Sequence, residues 1–230
     1  MRKKLLILLV MILFTFTACN TGSKKSNEPE EAEKTVETEE TVEIEATVET
    51  EETITGYSKG ILKEDGWESE WIGLRFIAPE DMVMSTQEEL DELMGFTTEV
   101  LSGDFSEAQM KYVEMTTVQE MMCFSADAIT NTMVAVEKLP RQMEMDSYIA
   151  ALENTMSKVS ELTFSIVSGD EVVSVGGNEF RKVKCMATYE GIDIHQDYFL
   201  RMKDDRIISI ICTYLDESLC EKMIGGYEAY

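Results

Sequence analysis

Histidine is nearly absent from this chain of 230 residues, in which His195 stands alone. A zinc site built from several histidines is therefore excluded. A catalytic triad of serine, histidine and aspartate would have to use His195. This residue lies in the middle of a predicted strand, on the same face as Asp197. We interpret it as a solvent-facing or hydrogen-bonded strand residue rather than as a catalytic base.

Positive charge is also scarce. The chain has 20 lysines and arginines against 45 aspartates and glutamates, which gives a formal net charge of -25. Nucleic-acid binding depends on clusters of Lys and Arg that release counterions from phosphates. Attraction to an anionic membrane surface depends on basic segments in the same way. The composition therefore excludes a nucleic-acid partner and leaves membrane attachment to a lipid.

Motifs for cofactors and for catalysis are lacking as well. The sequence contains no Walker loop and no dinucleotide-binding GxGxxG, and Gly176-Gly177 is typical of a turn before a strand. The acidic pairs Asp170-Glu171 and Asp204-Asp205 are predicted in turns. Glycosidases need two carboxylates that face each other across a cleft, which a turn dipeptide does not provide. We predict no cofactor, no metal site and no catalytic residue, and therefore a protein that is not an enzyme.

The first 18 residues have the layout of a secretory signal peptide. Arg2-Lys3-Lys4 precede an apolar run from Leu5 to Phe16, and small residues lead to Cys19. The run is shorter than the ~20 residues that a transmembrane helix needs. With a cysteine at the cleavage point, the segment resembles a bacterial lipoprotein signal, whose new N-terminal Cys carries lipid such as palmitate. We predict lipidation of Cys19 and a location on the extracytoplasmic face of the cell membrane; an ordinary secretory signal is the alternative.

Residues 19–56 are rich in glutamate and threonine. Three similar six-residue units follow one another at 35–40, 41–46 and 47–52. Like charges repel, and there is too little apolar surface here to offset the entropy of the chain. The dense carboxylates do not follow the glycine-containing pattern of a calcium loop. We predict a disordered acidic linker that holds the next domain away from the membrane.

Residues 57–230 have the length of one domain. Its first part is predicted to mix strands and helices without βαβ alternation: a strand Trp71–Ala78 ended by Pro79, a helix capped by Ser85 or Thr86 and running to Met94, a helix Asp104–Met115, strands Thr117–Phe124 and Thr132–Leu139, and a helix capped by Asp146. In the last of these helices Ile149, Leu152, Met156 and Val159 share one face, which we interpret as a core face.

The C-terminal third is predicted to form an antiparallel meander. Strands 180–189, 192–203 and 206–215 are joined by two-residue turns, which fix the register. This register places four pairs on one face, namely Val183 with Tyr198, Ala187 with Ile194, Tyr198 with Ile211 and Met202 with Ile207. The opposite face carries Phe199, Ile208, Ile210 and Tyr214. Because both faces are apolar, both must be covered. A final helix, 216–227, is predicted to cover one of them.

The segment Trp71-Ile72-Gly73-Leu74-Arg75-Phe76-Ile77-Ala78-Pro79 resembles the opening strand and proline of PsbP-like domains. The order of later elements is similar, with a hairpin ending at Val136-Glu137-Lys138-Leu139, a helix after Asp146, the strand segment Asp197-Tyr198-Phe199-Leu200-Arg201, and a closing helix. The resemblance implies an α+β fold, an antiparallel β-sheet with helices packed on both faces. It also implies docking to larger assemblies rather than catalysis, and it assigns no functional residue.

Four cysteines remain after Cys19, and an oxidising exterior favours their pairing. The predicted register puts Cys185 and Cys212 on opposite faces, which excludes a bond between them. Cys123 or Cys220 can still meet one of the two. We predict that all four are free and buried, because free cysteine packs as a small apolar residue.

Taken together, these features predict a lipid-anchored, non-catalytic binding or docking module at the cell envelope. Its partners are the membrane, through the lipid on Cys19, and an unidentified envelope protein or polymer. A carrier or chaperone for a small hydrophobic ligand is the alternative, because the many methionines adapt to irregular shapes. An envelope hydrolase is the third. An apolar cavity would indicate the carrier, and a cleft with converging carboxylates or His195 would indicate the hydrolase.

Overall fold

The structure, a computed structural model, describes residues 56–101, 106–127, 129–159, 163–189 and 191–230. The predicted signal peptide, Cys19 and the acidic linker as far as residue 55 lie outside these ranges. No helix in the described ranges is both long enough and apolar enough to cross a bilayer.

Two antiparallel sheets and four helices make up the described part of the domain. The strands are β1 Ile61–Lys63, β2 Gly66–Ser69, β3 Leu74–Ile77, β4 Met82–Met84, β5 Thr117–Ser125, β6 Asn131–Lys138, β7 Thr163–Val175, β8 Asn178–Tyr189, β9 Ile192–Lys203, β10 Arg206–Tyr214 and β11 Tyr227–Ala229. The helices are α1 Gln87–Leu101, α2 Glu107–Thr116, α3 Met145–Met156 and α4 Glu217–Ile224. The small sheet has the order β1-β2-β3-β11, and the large sheet has the order β4-β5-β6-β10-β9-β8-β7.

The first face of the large sheet, defined here as the face that carries Tyr198, is covered by α1, α2 and α3. Its core includes Leu90 from α1, Val113 from α2 and Leu152 from α3, together with Ile211 from β10. Leu152, Met156 and Val159 are buried and Ile149 packs against the same cluster, so the predicted core face of this helix is confirmed.

The second face, defined as the face that carries Asp197 and Phe199, is covered by the small sheet and by α4. Trp67 of β2 is buried and its indole N–H donates to Glu120 at 3.4 Å. The hydroxyls of Tyr227 in β11 and Thr132 in β6 are 2.8 Å apart. Helices therefore lie on both faces of the large sheet, as predicted. On the second face, the small sheet also covers the large one.

The C-terminal meander is confirmed in its register. The pairs Val183 with Tyr198, Ala187 with Ile194, Tyr198 with Ile211 and Met202 with Ile207 are all present. Two-residue turns allow few alternatives, and Asp204, at the second of them, has the positive φ of 54° that such turns require. The hairpin of β5 and β6 also agrees with the prediction to within one or two residues.

Two predicted boundaries and one predicted helix cap were wrong. The strand predicted at 71–78 begins only at Leu74, since Gly73, with a φ of 79°, turns the chain after β2. The final helix stops at Ile224 because Tyr227 pairs with Phe76 in the small sheet. Asp146 does not cap α3, since its carboxylate accepts from Arg181 of β8.

Two further differences concern the helices near the start of the domain. Thr86 and Glu89 form the predicted capping box, with hydrogen bonds of 2.8 and 3.2 Å, but the helix continues beyond Met94 to Leu101. Ser106 caps α2 with Gln109 as its capping-box partner. The predicted start of that helix at Asp104 lies outside the described residues.

Strand β7 was missed entirely, and with it the location of Asp170-Glu171. That pair lies within β7 rather than in a turn. The pairing of β7 with β8 shifts twice, between Ile166 and Ser168 and again before Glu171. Each shift interrupts the alternation of apolar and polar residues by which a strand is recognised. The other pair, Asp204-Asp205, lies in the turn where it was predicted.

Candidate functional site

A cluster of ionisable side chains surrounds Asp197 on the second face. This carboxylate is only 1% exposed. The ammonium of Lys182 lies 2.9 Å from its Oδ2, and the thiol of Cys220 donates to Oδ2 at 3.5 Å. The hydroxyl of Tyr214 donates to Oδ1 at 3.1 Å. Both oxygens of the buried carboxylate are therefore occupied by donors from the protein.

The register of the meander brings these groups together. In the large sheet Asp197 pairs with Lys184 of β8 on one side and with Cys212 of β10 on the other. Residues that are paired across neighbouring strands point to the same side of a sheet, so these three residues share the second face. Strand β6, on the other side of β10, adds Thr132, which pairs with Cys212. A polar row thus crosses the sheet at one level, from Thr132 to Lys184.

Helix α4 closes the cluster from above. Asp216 caps it by accepting from the backbone N–H of Ser218 at 2.9 Å, which begins the helix directly after β10. One turn further, Cys220 points to the sheet and is buried. At the first helical position Glu217 reaches Lys184, with 2.8 Å between carboxylate and ammonium.

Two clefts open beside α4, and Glu217 contributes to both. The larger has a volume of about 370 Å³ and is lined by Lys184, Met186, His195, Asp197, Tyr214 and Val167, among others. The smaller, of about 180 Å³, is lined by Lys182, Phe199, Cys220, Glu221, Ile224 and residues of β7. Charged groups and apolar side chains such as Val167 and Ile224 line the clefts together.

His195 lies at the rim of the larger cleft. It is exposed and stacks on the ring of Tyr214, with 5.6 Å between ring centroids and 18° between ring planes. The structure thus places His195, Asp197 and Glu217 around one cleft, the circumstance that would favour a hydrolase. Geometry alone does not make them a catalytic set, since Asp197 already accepts from Tyr214, Lys182 and Cys220.

The protonation states at the site also oppose nucleophilic catalysis. A hydrogen bond with Cys212, followed by burial, raises the pKa of the Cys220 thiol well above its ordinary value. Burial, followed by the negative charge of Asp197, raises the pKa of the Tyr214 hydroxyl. Thiolate, not thiol, is the nucleophile, so Cys220 stays inert at neutral pH. The hydrogen bond between Lys184 and Glu217 raises the pKa of the lysine and lowers that of the glutamate, so both remain charged.

Farther along β9, cations fasten the two sheets together. The side chain of Arg201 donates to the backbone carbonyl of Ile72, and its guanidinium lies 5.0 Å from the ring centre of Phe180. Lys203 donates to the carbonyl of Trp71 and lies 4.8 Å from the centre of the indole. These cations are engaged in packing and do not extend the site.

All four cysteines of the domain are free and buried. Cys185 and Cys212 lie on opposite faces of the sheet, as the register predicted. Within the described part of the chain, no group of three or more His, Cys, Asp or Glu side chains is arranged to hold a metal ion.

Sequence reasoning grouped His195 with Asp197 but missed the other members of the cluster. Lys184 and Cys212 were within reach of the predicted register, which puts them beside Asp197. Cys220 and Glu217 were not, because their place depends on how α4 packs on the sheet. Cys19, the single predicted modification site, lies outside the described residues and stays a prediction.

Comparisons with known proteins show distant likenesses. No protein-family model matches the chain, and no curated protein matches it significantly. Among solved structures, the chain is similar to the cyanobacterial PsbP (CyanoP) of Synechocystis sp. PCC 6803, with 9% identity, a TM-score of 0.46, and coverage of 76% of this chain and 99% of that one. It is also similar to LpqN of Mycobacterium tuberculosis, which is involved in cell envelope biogenesis, with 8% identity, a TM-score of 0.37, and coverage of 67% and 82%. Likenesses this distant carry no argument about fold family, activity or partner.

Proposed function

We propose that the protein is a lipoprotein held on the extracytoplasmic face of the cell membrane through Cys19, and that its folded domain is a non-catalytic module that binds a partner of the cell envelope. The signal layout around Cys19 supports the anchor. One acyl chain binds a membrane only marginally, so stable anchoring takes at least two.

The occupied carboxylate of Asp197 carries the non-catalytic part of the proposal. A general base must present a free lone pair to the proton that it removes. Asp197 instead accepts from Tyr214, Lys182 and Cys220. The cluster has the character of a structural polar network, which fixes α4 on the sheet and shapes the two clefts.

The larger cleft is the surface that we expect to receive the partner. Its exposed rim combines an ion pair, Lys184 with Glu217, with the apolar side chain of Val167, which is 64% exposed. Mixed polar and apolar surfaces of this kind are typical of non-obligate protein interfaces. The expected occupant is a segment of an envelope protein; a polymer is the other outcome of the test.

Anchoring is tested by Cys19→Ser in the full chain. We expect the variant to leave the membrane fraction while the wild type stays in it. Retention of the variant in the membrane, or an intact mass that still includes residues 1–18, would contradict the anchor.

Docking is tested by placing a photoreactive residue at Val167 of the anchored protein, with Ile61 on β1 as the matched control. The two positions have nearly the same exposure, 64% and 62%, but Ile61 does not line the cleft. We expect a protein adduct from position 167 alone, and its loss in a Glu217→Lys background. Equal adducts from both positions would contradict docking at the cleft, and an adduct with a polymer would replace the protein partner.

The hydrolase is a second candidate, favoured by the meeting of His195, Asp197 and Glu217 at one cleft. It requires a substitution at His195 to abolish hydrolysis of an envelope component without loss of stability. The carrier of a small hydrophobic ligand stays a third candidate, because apolar side chains such as Val167 and Ile224 also line the clefts.

A further inference from the structure

Two of the four buried cysteines meet beneath α4. Cys212 lies on the second face of β10, where it pairs across the sheet with Asp197. Cys220 lies on the inner side of α4, and its thiol donates to Asp197 Oδ2 at 3.5 Å. The strand thus places Cys212 directly beside Asp197, and the helix places the thiol of Cys220 on the carboxylate of that same residue.

The register excludes the other partners for Cys212. Cys185 is on the opposite face of the sheet. Cys123 and Cys212 both pair with Thr132, from opposite sides, so two strand spacings separate them. At ~4.8 Å per spacing their Cα atoms are roughly 9.6 Å apart, beyond the ~7 Å limit for a disulfide. Cys220 is therefore the one partner that the described fold offers to Cys212.

We propose that Cys212 and Cys220 form a disulfide that fastens α4 to β10 in the mature protein. The proposal rests on the extracytoplasmic location proposed above, because disulfides persist in oxidising compartments and are rare in reducing ones. Since α4 contributes Glu217 to both clefts, the bond fixes one wall of the candidate site.

Oxidation leaves neither Thr132 nor Asp197 without a hydrogen-bond partner. The thiol of Cys212 donates to the hydroxyl of Thr132 at 3.5 Å, and that hydroxyl keeps its 2.8 Å contact with the hydroxyl of Tyr227. The thiol of Cys220 donates to Asp197 Oδ2, which keeps the ammonium of Lys182 at 2.9 Å. Loss of both thiol protons therefore creates no buried orphan, which is the usual penalty for removing a donor.

The oxidant is the disulfide of an envelope thiol oxidoreductase, or glutathione disulfide in a test tube. The thiolate of one cysteine attacks that disulfide, and one of its sulfurs departs as a thiolate and takes up a proton. The thiolate of the second cysteine then displaces the other sulfur from the mixed disulfide. One bond forms between Cys212 and Cys220, two S–H bonds are lost, and the oxidant is reduced to two thiols.

Burial sets the time at which this bond forms. A buried thiol with a raised pKa has little thiolate to exchange. The bond therefore forms before α4 packs on the sheet, during folding outside the membrane. In the folded, reduced protein we expect oxidation by glutathione disulfide to be more than about tenfold slower than in denaturant.

The test is peptide mapping, without reduction, of the full chain recovered from the membrane fraction, after free thiols have been alkylated in denaturant. We expect a linked pair of peptides containing Cys212 and Cys220, with a mass about 2 Da below that of the two thiols. Cys123→Ser and Cys185→Ser should leave the link intact, and Cys220→Ser should leave Cys212 alkylated. Alkylation of all four cysteines in the wild type, or a link between any other pair, would overturn the proposal.

A second arm separates this proposal from the proposed location. The reduced full chain is refolded in a mixture of reduced and oxidised glutathione and then mapped in the same way. Formation of the same link there supports the pair even if fractionation shows the protein in the cytoplasm, in which case the location alone fails. Recovery of folded protein with four free thiols under conditions that oxidise a control disulfide protein would overturn the pair whatever the location.

Discussion

The two faces of the large sheet are built on different principles. The first face is mainly apolar, with residues such as Leu152, Tyr198 and Ile211 packed between sheet and helices. The polar side chains that it buries include hydrogen-bonded pairs such as Gln196 with Thr213 at 3.1 Å. The second face buries a row of polar groups in which Cys212, Asp197 and Lys184 lie side by side. Apolar packing tolerates many substitutions of similar volume, whereas a buried polar network depends on each of its members. A single substitution in the polar row should therefore cause a large loss of stability. On the apolar face, the loss should depend on how much side-chain volume is removed.

The largest effect is expected from Asp197→Ala. Removal of this carboxylate leaves the ammonium of Lys182 largely buried without its counter-ion, and leaves the hydroxyl of Tyr214 without its acceptor. Loss of one partner from a buried ion pair costs about 3 to 5 kcal/mol. Denaturant unfolding of wild type and variant, compared at equal slope, measures the loss of free energy of unfolding.

Asp197→Asn is the matched control, because it keeps an acceptor for Tyr214 and removes only the charge. It should lose less stability than Asp197→Ala. If the free energy of unfolding of Asp197→Ala lay within about 0.5 kcal/mol of the wild-type value, the second face would tolerate the substitution as an exposed surface does.

A somewhat smaller and more graded effect is expected on the first face from Leu152→Ala. The side chain is fully buried in the cluster beneath α3. Leu to Ala in a core costs about 2 to 5 kcal/mol, and Leu to Met usually less than about 1.5. Glu153→Ala, on the exposed side of the same helix, is the control. If Leu152→Met proved as costly as Leu152→Ala, the apolar face would be as exacting as the polar one, and the comparison would fail.

The first face was predictable because its rules are local. The helical spacing of Leu152 and Met156 indicates a core face, and two-residue turns fix which residues of neighbouring strands share a side. The same rules placed Cys185 and Cys212 on opposite faces. These rules did not predict strand β7, because its two register shifts interrupt the alternation of apolar and polar residues.

The candidate site was predictable only in part, since its members converge through tertiary packing. His195 and Asp197 are neighbours on one strand face and were recognised as such. Cys220 and Glu217 come from α4, whose end was also misjudged because Tyr227 joins the small sheet. The periodicity of the sequence does not predict that β11 follows α4, or that α4 lies over Asp197.

A contrast with the buried carboxylate is provided by Asp127, in the turn between β5 and β6. Burial opposes its ionisation, but hydrogen bonds from Ser125, Thr130 and Ile129 outweigh burial and lower its pKa. Asp127→Ala should therefore destabilise the protein at neutral pH. The loss should be only about 1 kcal/mol, because solvent screens the charge of an exposed carboxylate. Thermal unfolding at several pH values measures the effect.

The sign of its pH dependence follows from the lowered pKa. The contribution of Asp127 is present above the unfolded pKa of about 3.9 and is lost as pH falls through the lower folded value. The difference in stability between wild type and Asp127→Ala should thus shrink below about pH 4. Asp127→Asn, which keeps an acceptor, should lie between the two at neutral pH. A difference that stays constant down to pH 2 would show that the carboxylate contributes shape rather than charge.

The smallest effect is expected from His195→Ala. His195 lies two residues before Asp197 on the same face of β9. His195 is exposed and its ring stacks on Tyr214, but Asp197 takes its hydrogen bonds from other residues. Substitution of an exposed residue that belongs to no buried hydrogen-bond network usually changes stability by less than about 0.5 kcal/mol. Docking measured by the adduct from position 167 should persist, since the ion pair of Lys184 and Glu217 remains at the rim. If His195→Ala instead abolished a hydrolytic activity towards an envelope component, with unchanged thermal stability, the cleft would be an active site and the second face would be organised for chemistry rather than for structure.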